Sequence, residues 1–227
     1  MLSSLPFGSF LSYSPHGTSA AELAAATICR AIKRDGYLRR REQGEERAIP
    51  YAVRRLRACL TAALADLLAA DVVLVPAPGS APLPPRQPHA LWVARRICEE
   101  LRAAGFGGRL EPLLLRRQAV AKSAVARRGA RPGVLEHYDS FVVAARADEP
   151  PRRITLIDDV ITKGATLLAG ASRLAEAFPG TTVRAFALVR TQYPIDRQQD
   201  RQRFRALIDP ITATVTRSKY GAWRRDP

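Results

Sequence analysis

The chain contains 227 residues, of which 47% are hydrophobic, and 36 basic against 21 acidic side chains give it a formal charge of +15. This length and apolar content predict one globular domain with a sizeable core. The positive balance favours anionic partners such as nucleic acid, an anionic membrane surface or a phosphorylated substrate. The basic residues are almost all arginine, and alanine is also abundant. Because richness in these two residues often reflects the nucleotide composition of a genome, the charge is weak evidence for nucleic-acid binding.

Three widely spaced cysteines lie in segments with a helical pattern: Cys29, Cys59 and Cys98. No C-x-x-C pair occurs, which argues against a zinc site or a disulfide framework, so we expect buried, reduced thiols in a cytoplasmic protein. The apolar N-terminal stretch lacks a basic region and contains Pro6 and Gly8, which is not typical of a signal peptide. The longest apolar region, 60–75, carries Asp66 and Asp71, which argues against a membrane span.

The first 70 residues are predicted to form an N-terminal helical cap. An alanine-rich helix is expected over 20–33, and an amphipathic helix over 51–70. The arginine-heavy piece between them, around 39–41, is predicted to be a solvated connection.

From residue 71 onwards, predicted strands and helices alternate. Strands are expected over 71–75, 109–115, 141–145, 153–157 and 183–189, and helices over 89–104 and 165–178. This alternation predicts an α/β fold with a parallel sheet and helices on both faces. The core then spans 71–190, a basic C-terminal segment covers 191–227, and the whole chain forms one compact domain. In such sheets, ligands bind at the carboxyl ends of the strands.

Two adjacent carboxylates, Asp158 and Asp159, follow the apolar run 154–157. After Val160 and Ile161 comes a short turn of small and hydroxylated residues that leads into the predicted helix over 165–178; it consists of Thr162, Lys163, Gly164, Ala165 and Thr166. Backbone N–H groups without intrahelical partners, together with the helix dipole, make a helix N-terminus a suitable anion site. A diacid beside such a site suits a sugar phosphate. The alternative is a pair of solvated acids before an ordinary helix start.

This order of residues resembles the phosphoribosyl-pyrophosphate (PRPP) motif of type I phosphoribosyltransferases, and the match covers the whole motif. The resemblance implies the fold of that family, PRPP as a ligand and Mg²⁺ as its companion ion. It implies that Asp158 and Asp159 hold the ribose 2′- and 3′-hydroxyls, directly or through metal-bound water, and that the 162–166 turn binds the 5′-phosphate. One position departs from the family, which usually has Thr where Lys163 stands.

A Pro/Gly-rich loop follows the first strand of the predicted core, with the residues Ala77, Pro78, Gly79 and Ser80. The resemblance places the pyrophosphate-binding loop here. Gly79 permits close approach of an anion to the backbone, and Ser80 carries a hydrogen-bond donor. The alternative is an ordinary connecting loop.

Six cations with no acid between them follow the predicted strand over 109–115: Arg116, Arg117, Lys122, Arg127, Arg128 and Arg131. A solvated basic loop is the default interpretation of such a run. The family, however, carries a mobile catalytic lid at this point of the chain, and a lid over pyrophosphate needs positive charge. Three scattered histidines, His16, His89 and His137, show no metal-ligand spacing, so we expect surface or turn positions for them.

Within the family, the layout looks closest to the ComF/amidophosphoribosyltransferase-related group, on the strand ending in Val75-Pro76 and the aromatic strand beginning at Phe141. The four-cysteine zinc module of ComF proteins is absent from the sequence. Neither an N-terminal cysteine nucleophile nor a glutaminase domain is present, so glutamine-dependent amidotransfer is not expected.

The resemblance therefore implies transfer of a 5-phosphoribosyl group from PRPP to a nitrogen nucleophile with release of pyrophosphate. Asp158 and Asp159 would stabilise the oxocarbenium-like charge, and Mg²⁺ would be held through the substrate rather than by a protein ligand set. Two alternatives stay open: a PRPP- or nucleotide-sensing regulator without catalysis, and a ComF-like accessory of nucleic-acid uptake or processing that uses the basic charge. The acceptor and homodimer formation are not determined by the sequence.

Overall fold

The computed structural model describes residues 1–40, 44–83, 92–121, 132–144, 150–192, 211–217 and 223–226. The strands are β1 (Ser4–Tyr13), β2 (Tyr37–Arg40), β3 (Gly44–Arg47), β4 (Val73–Pro76), β5 (Arg109–Leu110), β6 (Leu114–Arg116), β7 (Phe141–Val143), β8 (Arg153–Ile161), β9 (Thr182–Thr191), β10 (Ile211–Arg217) and β11 (Trp223–Asp226). The helices are α1 (Ala20–Lys33), α2 (Ala48–Ala58), α3 (Ala62–Leu67), α4 (Val93–Ala103), α5 (Val134–Ser140) and α6 (Ala165–Ala177).

The main sheet has seven strands in the order β11-β10-β1-β9-β8-β4-β5. Strands β1, β9, β8, β4 and β5 run parallel to one another, whereas β10 pairs antiparallel with β1 and β11 antiparallel with β10. Two small antiparallel sheets, β2–β3 and β6–β7, lie outside it. The α/β class with a parallel central sheet is thus confirmed.

Two apolar clusters cover the two faces of the sheet. On one face, Ile157 packs in a cluster with residues of α1 to α4. On the other, Leu156 packs with Leu168 of α6 and with Phe141 of β7. Alternation of side chains along β8 explains why neighbours face opposite clusters, and each such fully buried side chain stabilises the fold by about 1.5–3 kcal/mol.

Close packing of α6 against the sheet depends on Gly170. A Cβ atom there would lie 2.7 Å from Leu114 Cδ2 and 3.0 Å from Leu156 Cδ2. Because buried interiors are already close-packed, a larger residue would force these two buried leucine side chains to shift. Glycine at this position therefore lets α6 lie close to β6 and β8.

The N-terminal segment 1–70 differs from the predicted helical cap, because β1 lies within the main sheet between β9 and β10. The predicted helix over 51–70 is also wrong as a single element. It is two helices, α2 and α3, separated at Cys59–Thr61, where the Thr61 side chain accepts a hydrogen bond from Leu64 N–H and caps α3.

The predicted strand over 109–115 is wrong as one element as well. Its first part is β5 in the main sheet, and its second part is β6, which pairs with β7 outside the main sheet. Pro112 between them lacks the N–H that a continuous ladder needs. Strand β7 therefore does not join the parallel sheet, and α5 precedes it in a region for which no helix was predicted.

The cysteines are free, and Cys29 and Cys98 are buried as expected, but Cys59 is exposed at the end of α2. Within the residues that the structure describes, none of the helices combines the length and the apolar character needed to cross a membrane.

Candidate functional site

The diacid lies within strand β8, which continues to Ile161, instead of following a strand that ends at Ile157. Its neighbour β4 ends at Pro76, and the last backbone bond between the two strands runs from Ala77 N–H to the Ile157 carbonyl, 2.8 Å. On the other side, β9 still accompanies the diacid, with Asp158 opposite Ala187. The two carboxyl groups therefore lie at the carboxyl-terminal edge of the sheet, where one flank of β8 becomes free.

Each carboxylate bonds to the backbone of the residue that follows it. Asp158 Oδ1 accepts from Asp159 N–H at 2.8 Å, and Asp159 Oδ1 accepts from Val160 N–H at 2.7 Å. Burial raises the pKa of Asp158 well above its usual range, and the adjacent Asp159 carboxylate raises it further. The more distant Lys33 opposes both effects. Without a bound cation, this pair of acids is therefore electrostatically unfavourable in its ionised form.

The 162–166 turn delivers the chain from β8 into α6. Gly164, the N-cap residue of α6, is in the left-handed region at φ 79° and ψ 7°, and it is buried. Its carbonyl accepts from Leu168 N–H at 2.9 Å, so the N–H groups of the first helical turn have no intrahelical acceptor. Thr162 bonds Thr191 of β9 (Oγ1 to Oγ1, 3.2 Å), while Lys163 is exposed. The turn thus has the geometry of an anion site with a cation at its rim.

The 77–80 loop leaves β4 beside the diacid. Ala77 and Pro78 are buried, whereas Gly79 is exposed and has no atom within 4 Å of the position that a Cβ would occupy. The Ala77 carbonyl accepts from Trp92 Nε1 at 2.6 Å, and the Ser80 carbonyl accepts from Val120 N–H at 2.8 Å. The loop is therefore held firmly on its inner side and open on its outer side.

Arg116 is buried, with 6% of its surface exposed, and it belongs to strand β6 rather than to a loop. Its guanidinium donates to the Gly79 carbonyl and the Ser140 hydroxyl, approaches His137 Nδ1 at 3.3 Å, and lies 4.2 Å from the centre of the Phe141 ring. All of these partners are neutral. Burial lowers the pKa of Arg116 to about 10, and the Asp158 carboxylate acts in the opposite direction.

His137 is buried at 4% exposure, so the expected surface or turn position is wrong. One ring nitrogen faces Arg116, and the other, Nε2, lies 3.4 Å from the Thr166 hydroxyl. Burial lowers the pKa of His137 to about 4, with Arg116 as the second cause, so the ring is neutral at physiological pH. A chain of contacts thus joins Gly79, Arg116, His137 and Thr166.

The predicted lid divides into two parts. Arg116 is fixed in β6, which does not fit a residue that moves with a lid, whereas Arg117 is exposed and donates through Nε to the Asp139 carbonyl at 3.0 Å. The other four cations of the prediction, Lys122, Arg127, Arg128 and Arg131, lie outside the described residues, as does His89. Leu114 is buried, Leu115 is exposed and Arg116 is buried, which is the alternation of a strand, but the sequence Leu-Leu-Arg does not show this alternation in advance.

A pocket of about 150 Å³ lies beside the 77–80 loop. Leu83, Trp92 and Leu115 are apolar residues of its lining, and Arg116 also lines it. Leu83 and Leu115 are also among the exposed large hydrophobic residues. The loop therefore has an apolar surface next to it.

Candidate protein ligands for a metal ion are few at this site. Within the described ranges, no three His, Cys, Asp or Glu side chains converge. The adjacent carboxylates of Asp158 and Asp159 nevertheless fit Mg²⁺, which is commonly held by one or two carboxylates together with substrate phosphates. A cation at this point would also relieve the repulsion between the two acids.

The structure thus brings together the diacid, the 162–166 turn and the 77–80 loop around one edge of the sheet, with Arg116 and His137 between them. Two anion-suited backbone segments beside a pair of acids can accommodate a ligand that carries phosphate at two ends and hydroxyls in the middle. A comparison with protein-family models finds no match for this chain, and a comparison with curated proteins finds none either.

Proposed function

We propose that this chain binds PRPP with Mg²⁺ and transfers its 5-phosphoribosyl group to a nitrogen nucleophile, with release of pyrophosphate. The observation that carries the proposal is the position of Asp158 and Asp159 beside a helix N-terminus that the chain enters through left-handed Gly164. The parallel sheet with helices on both faces is compatible with a type I phosphoribosyltransferase fold, and the diacid followed by the 162–166 turn is the reason to propose that fold for this chain.

The proposed roles follow from the chemistry of each group. The carboxylates accept hydrogen bonds from the ribose 2′- and 3′-hydroxyls, and their charge opposes the positive charge that develops at C1 as the pyrophosphate leaves. The N–H groups of the first turn of α6, with the Thr166 hydroxyl, bind the 5′-phosphate. The 77–80 loop binds the pyrophosphate. Asp158 and Asp159 would hold Mg²⁺ together with the substrate phosphates, directly or through water, and the ion would neutralise phosphate charge.

The raised pKa of Asp158 supports this assignment. An acid that burial and a neighbouring acid push towards the protonated form regains its charge when a cation or a donor-rich ligand arrives. Strongly perturbed ionisable groups in clefts are characteristic of functional sites. Three free cysteines, one of them exposed, fit a reducing compartment, and we propose the cytoplasm.

Isothermal calorimetry with PRPP and Mg²⁺ tests the site. We expect binding by the wild type and loss of binding, by at least about hundredfold, in Asp158→Asn/Asp159→Asn, because two acceptors and two charges are removed. Asp139→Asn is the control, since Asp139 is an exposed aspartate on α5. Equal affinity in the wild type and the double variant would remove the diacid from the site.

Turnover distinguishes an enzyme from a PRPP-sensing regulator. Pyrophosphate release measured over a panel of nitrogenous acceptors is expected to identify at least one that is consumed with PRPP. Binding of PRPP without release for any acceptor would support the sensor alternative and contradict the enzymatic one.

A further inference from the structure

The carbonyl groups of the 77–80 loop are turned towards the protein by three separate donors. Trp92 Nε1 holds the Ala77 carbonyl, Arg116 Nε holds the Gly79 carbonyl, and Val120 N–H holds the Ser80 carbonyl. A trans peptide unit is planar and its C=O and N–H point in opposite directions. The N–H groups of Ser80 and Ala81, which belong to the last two of these peptide units, are therefore turned away from those donors.

These two N–H groups have no protein acceptor among the residues that the structure describes. The space beside Gly79 is also open, with nothing within 4 Å of a Cβ position. Successive backbone N–H groups that point into an open concavity form an anion-binding nest. A buried guanidinium with neutral partners lies directly behind it, which adds a positive potential on the same side.

We propose that Arg116 is a positioning residue, which locks the Gly79–Ser80 peptide so that the N–H groups of Ser80 and Ala81 face a pyrophosphate. Rotation of this peptide would turn the Gly79 carbonyl towards the anion and replace attraction by repulsion. The assignment of pyrophosphate as the ligand of the nest rests on the proposed function. The orientation of the peptide itself rests on the contacts of Arg116.

The geometry of the contact makes arginine hard to replace. Nε reaches Gly79, Nη1 reaches Ser140 and Nη2 reaches His137, so three nitrogens of one planar group connect the 77–80 loop to two residues of α5. Lysine has a single nitrogen and does not reproduce this fork. Arg116→Lys therefore keeps the positive charge but loses the contacts that hold the Gly79–Ser80 peptide in place. The variant thus distinguishes a positioning role of Arg116 from simple electrostatic attraction of the anion.

Calorimetric titration with three probes tests the proposal: inorganic pyrophosphate with Mg²⁺, ribose 5-phosphate, and PRPP with Mg²⁺. We expect Arg116→Lys to weaken pyrophosphate and PRPP binding by about tenfold or more and to change ribose 5-phosphate binding by less than about twofold. Arg57→Lys, at an exposed position in the last turn of α2, is the control and is expected to bind all three probes like the wild type.

A second variant keeps the test valid if Arg116→Lys fails to fold. Gly79→Ala adds a methyl group in open space, so the fold is retained, but the methyl group occupies the entrance of the nest and is expected to weaken pyrophosphate binding selectively. Equal loss of pyrophosphate and ribose 5-phosphate affinity in Arg116→Lys would indicate a general structural role and overturn the proposal.

The outcomes also separate this inference from the proposed function. If the wild type binds PRPP and ribose 5-phosphate while both variants bind pyrophosphate normally, the positioning role is wrong and the proposed function stands. If the wild type binds pyrophosphate through Arg116 and Gly79 but binds neither sugar phosphate, the proposed function is wrong and the nest stands.

Discussion

The two ends of strand β8 differ in whether their charged side chains are paired with side chains of opposite charge. At its N-terminal end, Arg153 bonds Asp66 and Asp71, and Arg184 also bonds Asp66, so each charge has an opposite partner. At its C-terminal end, Asp158 and Asp159 stand side by side, and nearby Arg116 is surrounded by neutral groups. The first arrangement is what stability alone favours, whereas in the second the burial of Asp158 and its repulsion by Asp159 outweigh the opposing effect of Lys33.

The pKa directions express the same contrast. Hydrogen bonds from Arg184 and Arg153 hold the pKa of Asp66 below its usual value, whereas burial and Asp159 raise the pKa of Asp158. Two adjacent acids that repel each other cost folding free energy, so the presence of such a pair at one end of a strand is characteristic of a functional site.

The largest effect on stability is expected from acid titration of His137. Its folded-state pKa of about 4 lies below the ordinary value of 6.5, so the folded state binds fewer protons than the unfolded state between these values. Stability therefore falls as the pH drops from 6.5 to 4, by about 3 kcal/mol from this group. Urea unfolding across this range is expected to show that loss in the wild type and a smaller loss in His137→Gln. Identical pH profiles would mean that the ring is not held neutral by its surroundings.

A smaller effect is expected from Gly164→Ala, because an L side chain at φ 79° costs about 1–2 kcal/mol. Gly180→Ala is the matched control, since Gly180 has a φ of 84° and open space around its Cβ position. Both variants are expected to lose similar stability in thermal unfolding, but we expect only Gly164→Ala to lose affinity for ribose 5-phosphate. Equal affinities in the two variants would separate the 162–166 turn from phosphate binding.

The smallest effect is expected at the compensated end of β8. Asp66→Asn removes exposed ion pairs, which contribute at most about 1 kcal/mol after solvent screening. Chemical denaturation is expected to detect this small loss, and PRPP binding is expected to be unchanged. A change in PRPP affinity would show that the two ends of the strand are coupled.

Local sequence patterns predicted the elements that carry the site. The predicted helix over 165–178 and the predicted strand over 183–189 are confirmed as α6 and β9, and the diacid and the 162–166 turn are contiguous in the chain. Apolar periodicity is a local property, so it is visible without knowledge of the tertiary structure. The extension of β8 to Ile161 was missed because two charged residues interrupt the apolar run.

Features that depend on distant contacts were not predictable from such patterns. Pro6 and Gly8 are unfavourable for a strand, yet β1 lies inside the sheet, and Gly8 is required because a Cβ there would lie 2.5 Å from Leu67 Cδ1. His137 and Arg116 are 21 positions apart, and only the pairing of β6 with β7 brings them together. The sequence around His137 is polar, so nothing in it indicates that this histidine is buried.

Thermal unfolding of Asp158→Asn, with and without PRPP and Mg²⁺, tests whether the charge of Asp158 serves to bind a ligand. Without ligand, we expect the variant to unfold about 2–4 °C above the wild type, which corresponds to about 1 kcal/mol for a chain of this size, because the repulsion between the partly buried Asp158 and Asp159 carboxylates is removed. With ligand at about 100 times the wild-type dissociation constant, the wild type should gain about 2.7 kcal/mol and the variant almost nothing. A variant that is less stable than the wild type without ligand, yet equally stabilised by PRPP, would contradict the claim that this charge is retained for a ligand.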